Sequence, residues 1–272
     1  LLVTLQLNGG VDVTQLCDPK VNVKGEPKIN YWADAADPAQ VGNLIYAPVA
    51  KNAAFFERFG HDMLVINGVD SQTNSHETGK LYNWTGSNTE GRPSLSALFA
   101  AAQSPDQPLA YSVFDGLSRT AGLIAYNRFD DLSNMGALIR PNVDPWSGGL
   151  KRSETDLVRS QRLVQDGVQS LLVQPHLSVR QRQSALRFVE AREGREGLQR
   201  LAELVPAEED IQRREDFTAG GMTFSSNLKQ QMQGALLVFK SGLGSAADLS
   251  LGGFDSHDIH DPVSEALLAR FV

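Results

Sequence analysis

Leu1-Leu2-Val3-Thr4-Leu5-Gln6-Leu7-Asn8-Gly9-Gly10-Val11-Asp12 is an apolar run that stops on two glycines, with an aspartate one residue beyond. The chain repeats the design near its other end as Leu249-Ser250-Leu251-Gly252-Gly253-Phe254-Asp255. Short apolar runs with β-branched residues, cut off by glycine, suit strands buried in a parallel sheet. Adjacent glycines allow backbone angles and close approaches that side chains forbid. Ligands of an open parallel sheet bind just beyond the carboxyl ends of its strands. An Asp carried past such a turn therefore points its carboxylate into the crevice. A plain turn-capping role is the alternative for each Asp, and it is the commonest fate of Gly-Gly-x-Asp.

Between the two runs, Met63-Leu64-Val65-Ile66, stopped by Asn67-Gly68, predicts a second buried strand. Residues 109–114 predict a third and residues 122–126 a fourth. Helices are expected over residues 53–59, 75–84, 94–102 and 224–243, with Pro93 placed for a first turn. Alternation of this kind gives an α/β fold, a mostly parallel sheet with helices on both faces. Residues 18–50, rich in Pro, Asp and Asn, read as a long irregular excursion. Residues 153–204 carry an apolar stripe at Leu157, Leu163, Val164, Val168, Leu171 and Leu172, broken by Pro175 and restarted by Ser178. They predict a helical insertion within one domain spanning 1–272, its arginines forming a solvated face.

Composition narrows the function classes. A chain of 272 residues buries about three quarters of its unfolded surface. No run nears the roughly eighteen apolar residues that a membrane span needs, so no transmembrane segment is expected. A net charge of -7 argues against a nucleic-acid partner, which calls for a basic face. The single cysteine, Cys17, excludes an intramolecular disulfide and reads as a small half-buried residue. No Gly-rich phosphate loop opens a helix after a strand, which counts against a nucleotide cofactor.

The chemistry-bearing residues fall in three places. The second Gly-Gly motif continues as Asp255-Ser256-His257-Asp258-Ile259-His260-Asp261. Carboxylate with imidazole is the ligand set of zinc and related divalent ions. The metal-ligand candidates are accordingly Asp12, Asp255, His257 and His260, with Asp258 and Asp261 as supporting or solvent-facing groups. In the third place, Asn67 to Glu77, hydroxyls follow a strand and precede a helix. A helix N-terminus there stabilises an anion and favours an attacking oxygen. Ser75 and His76 are the catalytic candidates, with a capping role for Ser75 or Thr73 as the alternative. His61 and His176 read as structural or surface residues.

Taken in order, Gly9-Gly10-Val11-Asp12, Ser75-His76-Glu77 and Gly252-Gly253-Phe254-Asp255-Ser256-His257 resemble the motifs of a bacterial family known as domain of unknown function 1501, in the alkaline-phosphatase/sulfatase-like superfamily. The family pattern has Gly after the first Asp, where this chain has Val13, and an aromatic where it has Glu77. The resemblance implies two metals (zinc, calcium or magnesium), with Asp12 on one and Asp255 and His257 at the other position. It further implies a hydroxyl nucleophile near Ser75 and a small anionic ester of phosphate or sulfate as substrate. A later Asp-His-Gly type motif of the superfamily is absent from the chain. Family members carry a twin-arginine export signal, which implies a periplasmic or secreted protein. The chain opens inside a strand and closes inside an apparent helix, so a longer polypeptide is expected, with the signal upstream. The rival expectation is a non-catalytic exported protein that uses the same scaffold to bind or assemble with a protein partner.

Overall fold

The computed structural model describes residues 1–114, 117–129, 132–144, 147–193, 195–257 and 259–271. In chain order its elements are β1 (Leu2–Leu7), β2 (Ala39–Val41), β3 (Leu44–Tyr46), α1 (Asn52–Phe59), α2 (His76–Thr85), α3 (Leu95–Gln103), β4 (Tyr111–Val113), β5 (Tyr126–Arg128) and α4 (Leu132–Ile139). There follow α5 (Glu154–Leu172), α6 (Val179–Glu193), α7 (Arg195–Leu204), β6 (Glu215–Ala219), β7 (Met222–Ser226), α8 (Leu228–Lys240), β8 (Ala246–Leu251) and α9 (His260–Phe271). Four strands form a sheet in the order β1-β8-β4-β5. β4 pairs in parallel with both β5 and β8. The bonds from Leu2 N–H to Ser245 O and from Asn8 N–H to Leu251 O advance together along β1 and β8. The fold is α/β, with a mostly parallel central sheet flanked by helices, and the two Gly-Gly motifs close neighbouring strands of it.

The strand expected at Met63 to Ile66 is a correction: no strand forms there. Among the described residues no sheet includes the segment. Met63 and Val65 pack beside Leu44, Tyr46 and Phe56, whereas Leu64 is 84% exposed and Ile66 70%. Alternation without a neighbouring strand leaves half of such a run in water. Three boundaries also move. The irregular excursion ends in an antiparallel hairpin, β2 with β3, in which Ala39 faces Tyr46. The fourth strand lies at β5, later than expected. The helix expected from residue 224 starts at Leu228, because Met222 to Ser226 form β7 and pair antiparallel with β6. The Gly220-Gly221 pair between them is a hairpin signal that the helical reading passed over.

The chain divides into two compact units. The first comprises Leu1–Thr4, Pro93–Gln212 and Gln230–Leu249. Its core brings Ala97 and Ala100 of α3 against Tyr111 and Val113 of β4 and Ala246 of β8; small side chains on the helix let it approach the sheet closely. Residues 153–204 contribute α5, α6 and α7, and Ser153 caps α5 by accepting the Asp156 N–H. At the heart of this unit lies a buried carboxylate, Asp248. The Thr4 hydroxyl donates to its Oδ1 at 2.7 Å, and the Tyr111 hydroxyl donates to its Oδ2. Burial pushes the Asp248 carboxyl up, opposed by the hydroxyls of Ser96, Tyr111 and Thr4.

The second unit comprises Leu5–Arg92, Arg213–Lys229 and Ser250–Val272. Phe56 of α1 stacks on Tyr46 of β3 with ring centroids 4.7 Å apart, and Leu44 completes that cluster. The buried Asn52 amide ties the strand-to-helix corner together by donating to Gln15 O and Ala47 O. α9 buries Val263, Leu267 and Leu268. Every sequence-predicted site residue belongs to this unit except Asp258, which lies outside the described residues.

Candidate functional site: two aspartate–imidazole groups at the Gly-Gly turns

The geometry starts from the two glycine turns. After β1 the chain turns through Gly9 (φ +113°) and Gly10 (φ +96°). Phe254 N–H donates to Asn8 O at 3.1 Å, which fastens the second turn onto the first. A Cβ on Gly9 would lie 2.4 Å from the Asp255 backbone nitrogen, so only glycine allows the two turns this approach. Asp12 and Asp255 therefore leave neighbouring strands through turns in direct contact.

Asp12 then folds back as a cap. Its Oδ1 accepts the Thr14 N–H at 2.8 Å and the Thr14 hydroxyl at 2.7 Å, starting the short 3-10 turn Val13–Gln15. Its Oδ2 meets His260 Nε2 at 2.9 Å. Burial raises the Asp12 carboxyl, but Thr14 and His260 outweigh it and hold the group below the ordinary carboxylate range. An ionised carboxylate only accepts, so Nε2 of His260 is the donor. The other ring nitrogen, Nδ1, lies 3.0 Å from Ser256 Oγ. In a neutral ring that nitrogen is the acceptor, and Ser256 donates. Ser256, His260 and Asp12 thus form one continuous chain of hydrogen bonds.

Asp255 belongs to a second group. His257 Nε2 lies 2.8 Å from its Oδ1, and His76 Nε2 lies 3.4 Å from its Oδ2. All three side chains are about half exposed or more; ion pairs in such surroundings hold each other weakly. His76 is delivered by the first turn of α2, whose cap is Ser75. The Ser75 hydroxyl accepts the Thr78 N–H at 3.5 Å and Ser75 N–H donates to the Thr73 hydroxyl. Ser75 thereby fills the capping role set out as its alternative.

The six sequence candidates are consequently split. Asp12 pairs with His260, Asp255 pairs with His257 and His76, and Ser75 caps a helix. Asp261 accepts from the Gln15 amide at 2.8 Å and from Tyr31 N–H at 3.2 Å, a structural tie. His61 and His176 are exposed. Carboxylate and imidazole suit a divalent ion chemically. Yet among the described residues no three His, Cys, Asp or Glu side chains are grouped to hold one. As placed, Asp12 and His260 direct the atoms that would ligate at each other. Two residues were missed in the sequence. Ser256 precedes His260 by one helical turn of spacing, and Thr14 sits two residues past Asp12, the spacing of an Asx-turn; both signals are local and readable.

No protein-family model, curated protein or solved structure matches the chain.

Proposed function

We propose that the chain is a hydrolase of phosphate or sulfate esters acting at this pole, the activity that the motif resemblance implies, in an exported, periplasmic or secreted, setting. The observation that carries the reading is the contact between the two Gly-Gly-x-Asp turns, which brings Asp12 and Asp255 to one end of neighbouring strands, each against an imidazole. Asp12 fixes one tautomer of His260, so that Nδ1, which accepts from Ser256, can take a proton from an attacking oxygen and return it to the leaving group. His76 and His257, when protonated, offer N–H donors to the anionic oxygens of an ester, with Asp255 orienting both. The divalent ion that the resemblance implies would supply charge neutralisation. Among the described residues the side chains as arranged do not enclose one.

A second reading is favoured by the pairing itself. Carboxylates and imidazoles engaged with each other are also what a pole without chemistry looks like, and the same surface would then serve a protein partner as a binding or assembly scaffold. One experiment separates the two. The full chain is assayed on p-nitrophenyl phosphate and p-nitrophenyl sulfate, with EDTA and with added zinc, calcium or magnesium, alongside Asp255→Asn. Turnover of at least one ester is expected, lower in the variant because Asp255 no longer orients His76 and His257; elemental analysis of the protein reports any retained metal. If the wild type cleaves neither ester under any of these conditions, the hydrolase reading fails and the binding scaffold replaces it.

A further inference from the structure

We propose that Ser256, and not Ser75, is the nucleophile of this pole, activated by His260 and held in line by Asp12. The substrate class rests on the hydrolase reading above; the reactivity of Ser256 does not.

An alcohol attacks only when a base removes its proton as the new bond forms. Ser256 Oγ is 3.0 Å from His260 Nδ1, and His260 Nε2 is 2.9 Å from Asp12 Oδ2. Asp12 is fixed in turn by two bonds from Thr14. Nucleophile, base, orienting carboxylate and its own anchor therefore form one series, the arrangement by which serine hydrolases on unrelated folds are recognised. The ring nitrogens are used in the reverse of the commonest order, Nδ1 toward the serine and Nε2 toward the carboxylate. The proton inventory is unchanged. Ser75 has none of this: its hydroxyl accepts a backbone N–H within its own helix cap. Ser256 is half-buried and His260 is 37% exposed at its side chain, which leaves the pair open to a small substrate.

The step balances without a co-reactant other than water. Ser256 Oγ bonds to the phosphorus or sulfur as its proton passes to His260 Nδ1. The bond to the alcohol oxygen breaks, and the alcohol leaves with the proton from Nδ1. Water, deprotonated by the same nitrogen, then attacks the seryl ester; the bond to Ser256 Oγ breaks, that oxygen takes the proton back from Nδ1, and phosphate or sulfate is released with Ser256 and His260 restored.

The test uses an electrophile that needs the nucleophile alone. The full chain is treated with a fluorophosphonate, whose P–F bond breaks as Ser256 Oγ bonds to phosphorus, and the adduct is located by peptide mass spectrometry. One adduct per chain, on Ser256, is expected. His260→Ala should slow its formation by about a hundredfold or more, and Ser256→Thr, which keeps a hydroxyl, should retain part of it. An adduct on Ser75, or none at all on the folded wild type, overturns the proposal, and mapping the wild type requires no variant to fold. Turnover of p-nitrophenyl phosphate or sulfate at the wild-type rate by Ser256→Ala also overturns it, while leaving the hydrolase reading intact. Labelling of Ser256 without turnover of either ester supports the nucleophile and removes the anionic-ester reading instead.

Discussion

Asp248 shows how one residue sets a pH dependence. It sits fully buried in β8, with Thr4 and Tyr111 donating to its two oxygens. Desolvation dominates and raises its carboxyl, with the three hydroxyls of Ser96, Tyr111 and Thr4 pulling the other way. A raised acid binds its proton more tightly folded than unfolded. Its contribution is therefore complete below the unfolded value, about 3.9, and is lost as pH rises through the folded one. Asp12 has the opposite sign: its lowered carboxyl contributes above the unfolded value and loses that contribution as pH falls. Asp248→Asn removes the first effect and leaves the second. The difference in melting temperature between variant and wild type should move in the variant's favour as pH rises from about 4 toward 7. A difference that stays constant across that window would mean that Asp248 does not titrate with folding. Asp248 was readable in the sequence only as a strand residue; its burial depends on Tyr111 and Thr4, which come from other strands.

At the scale of elements, the two strand-ending turns carry the clearest contrast. Gly9 and Gly10 both have positive φ, but a Cβ on Gly9 would strike the Asp255 backbone nitrogen, whereas Gly10 has nothing within 4 Å. Gly10→Ala incurs only the backbone strain, about 1–3 kcal/mol. Gly9→Ala adds a clash that can be relieved only by separating the turns that carry Asp12 and Asp255. The expected outcome is a larger loss of stability for Gly9→Ala, read from the urea midpoint, with ester turnover reduced beyond what its lower stability explains. Equal effects of the two changes would show that the turns do not meet. These turns were legible because their signal is local: an apolar run, two glycines, one acid. The split of the acids into two imidazole groups was not. Which ring faces Asp12 is decided by where α9 begins, and the run from Asp255 to Asp261 reads equally well with His257 or His260 in that place. The hairpin of β6 and β7 was missed for a related reason, since Phe224, which lies in β7, was absorbed into a helical pattern that starts only at Leu228.

Across the whole molecule, the residues from Met63 to Val69 are where pattern and structure part most. An apolar, β-prone run is buried only if a sheet edge receives it, and no sequence pattern states which strands neighbour which. Here alternate residues Met63 and Val65 pack on the cluster of Leu44, Tyr46 and Phe56, and Leu64, Ile66 and Val69 face water. Nearby in the same unit, Val21, Val23, Ile29 and Ile45 line an open groove of about 560 Å³. The exposure has a direct stability consequence. Truncating a large aliphatic side chain inside a sheet costs about 2–5 kcal/mol, while changing an exposed one stays within about 0.5 kcal/mol. The double change Leu64→Ser and Ile66→Ser should therefore leave the urea midpoint within about 1 kcal/mol of the wild type, with the slope unchanged. Met63→Ala with Val65→Ala should cost more than the serine pair, because both side chains are half-buried in that cluster. A loss of several kcal/mol from the serine pair would place Leu64 and Ile66 inside a sheet after all, restoring the strand that the sequence pattern predicts and adding a fifth member to the parallel sheet.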